Sequence, residues 1–286
     1  MTLKQQAISG VKWSGVSMAA VTAFQFITLA VLARYLTPSD FGLMGMIMVV
    51  MGLAQAFADM GVSNAIIHRQ DVTRDQLSSL YWLNILAGVI VFCAVCLSTP
   101  LVVVFYNEPR LPNLLYLTAV IFLITPLGQQ FQILLQKDLK FDGLAKIEMA
   151  AALVNAMVAV GSAFAGLGIF SLIFGQLAAT IAKVALLCGL GWRHWRPSFH
   201  FARRDLKGYL SFGLYQMGER TVNYLSAHMD YIIIGRFLGP AALGFYTLAY
   251  QLVTFPLMKV NPVITKVMFP IFSKIQNDNE NFRKGY

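Results

Sequence analysis

The chain has 286 residues, of which 57% are hydrophobic and 12% charged, and its mean hydropathy is +0.64. Soluble domains carry about 25% charged residues, so this composition excludes a protein dispersed in water. The net charge of +9 invites a nucleic-acid reading, but most Lys and Arg sit in short loops between apolar runs. A nucleic-acid surface would cluster them on a soluble face with interleaved aromatics, so no nucleic-acid partner is expected.

Crossing a bilayer core takes about 20 helical residues, and runs of that length recur. Eight candidate membrane helices fall near Val11–Ala33, Phe41–Ile67, Ser78–Val104, Leu114–Leu135, Ile147–Ala165, Ile169–Gly191, Tyr209–Gly235 and Leu243–Phe272. The runs are continuous, without the period-two alternation of a lipid-facing strand. The expected fold class is therefore an all-α integral membrane protein, a multi-spanning helical transporter rather than a barrel. Lys4 and Lys12 precede a first run that exceeds a signal-peptide core and lacks a small-residue cleavage site, so it reads as a membrane helix.

The segment Arg34–Leu43 (RYLTPSDFGL) returns as Arg236–Phe245 (RFLGPAALGF), offset by 202 residues without a gap. Arg, an aromatic, Leu, Pro and Gly recur in register, and long-period self-similarity is a guide to architecture. A tight turn between membrane helices also collects Pro, Gly and an interfacial Arg, but five matched positions exceed what turn chemistry requires. The chain thus reads as two pseudo-symmetric helix bundles with the second incomplete. Residues 1–200 form a six-helix lobe and 201–286 the first two helices of another. An even number of helices per lobe relates the two by an axis along the membrane normal. The polar, basic tail Gln276–Tyr286 reads as a loop leading to a ninth helix, which makes this the front portion of a longer protein.

Orientation follows from the loops. With the N-terminus cytoplasmic, the inner segments 1–12, 68–77, 136–146, 192–208 and 273–286 hold fifteen Lys and Arg, against Arg34, Arg110 and Arg236 outside. That asymmetry obeys the positive-inside rule. Trp13, Trp82, Trp192 and Trp195 then all lie at inner helix ends, where interfacial indoles belong.

Several ionisable side chains interrupt the apolar runs: Asp59, Lys183, Glu219, Arg220, His228, Asp230, Lys259 and Lys266. A charge at the bilayer centre costs about 2.5–3.5 kcal/mol on insertion scales, so such residues face a polar cavity or a partner. Lys259 and Lys266 share one helix face about 10 Å apart. They flank Asn261-Pro262, which should kink the helix. With Arg220 on the neighbouring helix they suit a cationic cavity for phosphate or pyrophosphate. Snorkelling of Lys266 and structural pairing of Lys259 are the plainer alternatives.

Asp59 and Glu219 are candidate proton or sodium sites, with pairing to Arg220, Lys183 or Lys259 as the structural alternative. Asp230 reads as interfacial, and His228 as either packing or functional. Cys93 and Cys96 have C-x-x-C spacing but no neighbouring His or second Cys pair, so small packing residues are the better reading. There is no Gly-rich phosphate loop, H-E-x-x-H, G-x-S-x-G or acidic metal-holding pair. The loops are too short for a soluble active site. No catalytic residue, cofactor or metal is expected.

Particular blocks carry a resemblance. They are Ser9-Gly10-Val11-Lys12-Trp13-Ser14, Leu32–Leu36 with Phe41-Gly42-Leu43, Asp59-Met60-Gly61 with Ala65-Ile66-Ile67, and Leu80–Asn84. Further blocks are Gly128–Phe131 with Gln136-Lys137, Asn223-Tyr224-Leu225, Tyr246–Tyr250, Met258–Thr265 and Phe269–Gln276. With these the chain resembles polysaccharide flippases of the multidrug/oligosaccharidyl-lipid/polysaccharide exporter superfamily, and looks closest to colanic-acid-type exporters.

The resemblance implies two six-helix bundles forming a V around a central cavity in a bacterial inner membrane. It implies ion-coupled movement of undecaprenyl-diphosphate-linked oligosaccharide between leaflets, with H+ or Na+ as coupling ion. In that frame Arg220, Lys259, Lys266 and Lys183 are the candidate substrate-binding cations, and Asp59 and Glu219 the ion-coupling candidates. Polysaccharide polymerase or assembly proteins are possible partners beside membrane lipid. A drug exporter of the same superfamily would favour an acidic, aromatic lumen, which the embedded Lys and Arg oppose. A scaffold recruiting polymerases through the basic 192–208 loop is the reading from another class.

Overall fold

Long apolar runs in lipid must satisfy every backbone N–H and C=O internally, and an uninterrupted α-helix does so. The computed structural model describes residues 3–58, 73–138, 140–192, 195–202 and 210–254, with side chains from residue 12 and, after the last gap, from residue 217. Helices α1 (Leu3–Tyr35), α2 (Pro38–Ala58), α3 (Arg74–Tyr106), α4 (Leu111–Ala119) and α5 (Ile121–Lys137) come first. They are followed by α6 (Phe141–Phe164), α7 (Phe170–Gly191), α8 (Leu210–Ala227), α9 (Met229–Phe237) and α10 (239–254). No strand occurs among the described residues.

Among the described residues six spans are long and apolar enough to cross a membrane: α1, α2, α3, the α4–α5 pair, α6 and α7. They coincide with the first six expected helices, and the molecule is a multi-spanning helical membrane protein. Two expectations are corrected. The fourth run is interrupted at Val120, between α4 and α5. The seventh is divided at His228, whose backbone (φ −122°, ψ 17°) leaves the helical region. There the His228 ring stacks on Tyr224 at 4.1 Å and its Nδ1 lies 3.0 Å from the Tyr224 carbonyl oxygen. The eighth run is described only as far as residue 254.

Helix ends show local chemistry. The α3 N-terminus carries a capping box: Thr73 Oγ1 accepts from the Gln76 N–H at 3.3 Å, and Gln76 Oε1 accepts from the Thr73 N–H at 3.2 Å. Its C-terminus ends on Asn107 in the left-handed conformation (φ 53°), a residue type that tolerates it. The two copies of the repeated segment solve the same turn differently. Before α2, the Asp40 carboxylate accepts from the Thr37 N–H at 2.9 Å and from Thr37 Oγ1 at 2.8 Å. Before α10 the matching position is Gly239, with φ +80°.

Packing runs in sequence through neighbouring helices: α1 on α6, α6 on α7, α7 on α5, α5 on α3, and α3 on α2, with α8 and α9 against α2. Close approach of α3 to α5 depends on Gly88, where a Cβ would run into the Phe122 carbonyl and lie 2.7 Å from Pro126. All the turns after odd-numbered crossings gather at one end. Arg110 donates to Ser39 Oγ at 3.0 Å, Tyr35 meets Phe164 edge-on at 4.9 Å, and Arg236 lies over the Phe105 ring at 5.7 Å.

At the opposite end Lys146 sits 5.3 Å over the Trp13 ring, and Trp82, Trp192 and Trp195 surround Tyr81 and Phe131. The outward face of α3 shows Leu97, Leu101 and Val104, each more than 70% exposed. Spaced at helical intervals, they form a stripe suited to lipid and costly in water.

Candidate functional site

Polar side chains on these apolar helices are not scattered. On α7, Gln176, Thr180 and Lys183 recur at intervals of four and three, so they share one face. On α6, Glu148, Ala152 and Asn155 do the same, and on α1 so do Ser14, Ser17, Val21, Gln25 and Thr28. The three faces converge on a chain of adjoining hollows.

The first, of about 470 Å3, lies between α1, α2, α6, α7 and α10, with polar lining from Gln25, Thr28, Asn155, Gln176, Thr247 and Gln251. A second of about 470 Å3 shares Ala152 and Asn155 with it and adds Ser17, Glu148 and Lys183. A third, of about 370 Å3, shares Lys183 and adds Gln55, Gln129, Gln132 and Gln136. From Gln176 to Leu187 this trough follows α7 for about 16 Å.

Lys183 stands where the second and third hollows meet, half-buried, and makes no salt bridge among the described residues. Its cost in an apolar setting is offset by the polar lining of the trough. Glu148 walls the second hollow, where its Oε2 accepts from Ser17 Oγ at 3.3 Å. The two charges share one hollow without an ion pair, leaving each able to meet a third group.

The other expected site residues fall elsewhere. Glu219, on α8, is exposed and its Oε1 accepts from Asn223 Nδ2 at 3.2 Å. Arg220 beside it is half-buried, and neither lines the trough. Asp59, Lys259 and Lys266 lie outside the described residues. Asp230 is held by the Tyr246 hydroxyl, which donates to its Oδ2, and by the Tyr231 N–H at 2.9 Å. His228 belongs to an aromatic cluster with Tyr224, Tyr231, Tyr246 and Tyr250. Cys93 and Cys96 are free thiols on α3.

Sequence reasoning missed Glu148 and the neutral amides Gln25, Asn155 and Gln176. Their signal was present: polar residues three and four apart on otherwise apolar helices. Gln176 Oε1 is buried with no hydrogen-bond partner among the described residues. An orphaned buried polar atom costs about 1–3 kcal/mol, so its retention points to a role.

The described residues form ten helices that make six spans long enough to cross a bilayer, and α1, α2, α5, α6, α7 and α10 line a polar trough with Lys183 and Glu148 in it, which defines a multi-pass membrane protein with a polar path. The chain belongs to the polysaccharide biosynthesis protein family, whose description matches residues 31–286, as the resemblance led one to expect. It is 40% identical over its full length to the teichuronic acid biosynthesis protein TuaB of Bacillus subtilis, of which it covers 59%. It is 34% identical over its full length to the lipopolysaccharide biosynthesis protein WzxC of Escherichia coli, covering 58%. The succinoglycan biosynthesis transport protein ExoT of Rhizobium meliloti is 25% identical over 94% of the chain, with 54% of ExoT covered. The chain thus spans less than two thirds of the length of these curated relatives. No solved structure matches it.

Proposed function

We propose that the full-length protein is a flippase for lipid-linked polysaccharide repeat units, moving them across a bacterial inner membrane by alternating access. The observation that carries this is the polar trough, in which Lys183 forms no ion pair among the described residues although Glu148 lines the same hollow. A half-buried ammonium not neutralised by direct pairing can hold an anion, and a lipid diphosphate is the anion a membrane path offers. The relatives' names place them in polysaccharide biosynthesis, and one is named a transport protein.

The end bearing Lys12, Arg74, Lys140 and Lys146 faces the cytoplasm, on the positive-inside rule. The Pro38 end then faces outward. There α2 and α10 are in backbone contact, while the trough extends toward the opposite end. This supports an arrangement shut outside and accessible inside, with lobes 1–200 and 201 onward rocking about the trough. Arg220, Lys259 and Lys266 extend the cationic path beyond Lys183. Asp59 and Glu219 are the candidates for coupling to H+ or Na+. The protein acts without covalent chemistry on its substrate.

The test uses the full-length protein in cells lacking their own flippase. Lys183→Gln should leave lipid-linked repeat units on the inner leaflet and cut polymer export at least tenfold, with protein level unchanged. Export at the unmodified rate would overturn the assignment.

A further inference from the structure

The three hollows differ in charge, and that difference divides the trough. The second and third are walled by Lys183, and the second also by Glu148. Among the described residues the first is lined by no ionisable side chain. Its polar groups are amides and hydroxyls: Gln25, Thr28, Asn155, Gln176, Thr247 and Gln251. Each such group donates and accepts, which is the capability a sugar hydroxyl shares and a phosphate lacks. Apolar walls from Phe24 and Phe41 suit the C–H faces of a pyranose ring.

One of these groups, Gln176 Oε1, is buried with no hydrogen-bond partner among the described residues, whereas the Thr247 hydroxyl lies within hydrogen-bonding reach of Tyr231. A ligand that donates a hydrogen bond to Gln176 recovers what burial cost. The hollow's 470 Å3 lies within the usual range of about 300–1,000 Å3 for small-ligand sites. It opens into the second hollow through Asn155 and Ala152, and from Gln176 to Lys183 is two helical turns, about 10 Å.

We infer that this first hollow is a glycan subsite. It reads the uncharged sugars of the substrate through Asn155 and Gln176, while Lys183 holds the diphosphate about 10 Å away. This rests on the flippase reading and adds to it a polarity. The sugar lies toward the Pro38 end and the lipid diphosphate toward the opposite end, so the glycan leads through the path. Selectivity for the repeat unit then resides in neutral amides rather than in the cations.

The experiment measures binding to the purified full-length protein in lipid nanodiscs. The two probes are sugar-free undecaprenyl diphosphate and the same lipid bearing the producing strain's own repeat unit. The unmodified protein should bind the glycosylated lipid at least tenfold more tightly. The variant Gln176→Ala, at a residue that lines the first hollow and not the second, should lose that preference while keeping its affinity for the sugar-free lipid, which also shows that it is folded. Lys183→Gln should weaken both probes alike. If Gln176→Ala keeps the full preference, or the unmodified protein shows none, the glycan subsite is overturned and the flippase reading stands. If the unmodified protein binds neither lipid, the flippase reading itself falls and the subsite with it.

Discussion

Gly42 of α2 and Gly244 of α10 face each other so closely that a Cβ on Gly42 would lie 2.9 Å from the Gly244 nitrogen, and one on Gly244 would lie 3.1 Å from the Gly42 nitrogen. Each added Cβ would also run into the partner segment's proline carbonyl, Pro240 for Gly42 and Pro38 for Gly244. The contact is reciprocal, and both pairs are separated by 202 residues. The repeated segments therefore meet through their own matching positions, backbone against backbone. Gly45 continues the seam, 3.1 Å in the same sense from Thr247 Oγ1, which is again its own repeat mate.

Adding a methyl at this crossing must push two helices apart, because the obstacle is main chain and cannot rotate away. Gly42→Ala and Gly244→Ala should each destabilise by about 1–3 kcal/mol, as overpacking does. Gly161, in α6, has nothing within 4 Å of its Cβ position, so Gly161→Ala should be neutral or raise stability by up to about 1 kcal/mol. Melting temperatures in detergent separate the two outcomes. Equal shifts for all three variants would contradict the crossing.

The Glu108–Arg110 pair, in the turn between α3 and α4, gives a pH dependence. Glu108 accepts from Arg110 Nε at 2.8 Å and from its Nη2 at 3.1 Å. Those hydrogen bonds hold its carboxyl below the ordinary value of 4.5, against burial, which raises it. A depressed folded-state value stabilises above pH 4.5 and loses that contribution as pH falls through the lowered value. The melting temperature of Glu108→Gln should therefore fall less than that of the unmodified protein between pH 5 and pH 3. Parallel curves would refute the coupling.

The segment 195–202 is strapped to the base of α3. Trp82 Nε1 donates to the Ser198 carbonyl at 2.9 Å, its ring stacks on Phe199 at 5.4 Å, and the Ala202 N–H donates to Ser79 Oγ at 3.2 Å. Trp82→Ala removes the first two links. Chymotrypsin should then cut after the exposed Phe199 several-fold faster than in the unmodified protein, in which the Trp82 indole N–H tethers the backbone at Ser198. An unchanged cleavage rate would show that Trp82 does not retain the strap.

Tyr224 ties α8 to α2, its hydroxyl donating to the Met48 carbonyl at 2.7 Å. Tyr224→Phe keeps the ring on His228 and leaves the Met48 carbonyl its intrahelical donor. The expected loss is about 0.5–1.5 kcal/mol, the net worth of one hydrogen bond. Thermal unfolding of the variant checks it, and no loss would mean that the two helices are held by apolar packing alone.

Much of the site could be found from residue type, and some could not. Lys183 was identifiable because one ammonium in an apolar run is conspicuous. Glu219 was equally conspicuous, yet it lies exposed beside Asn223 on α8, away from the trough. Gln25, Asn155 and Gln176 carry no charge and sit on three different helices, so nothing local marks them as neighbours. The break at His228 was also hidden, since it depends on where the Tyr224 ring lies.

The sequence by itself determined the number and placement of the first six spans and which helix ends carry positive charge. Those features depend only on each stretch's own encounter with lipid and water, a local property that composition reports. It also determined that residues 34–43 and 236–245 are matched. That these matched residues touch, that α1, α6 and α7 turn their polar faces to one trough, and that Lys183 and Glu148 share a hollow there without an ion pair between them were decided by tertiary structure alone. Side-chain direction along one helix follows from 3.6-residue periodicity, but which face meets which depends on close packing between residues more than a hundred positions apart.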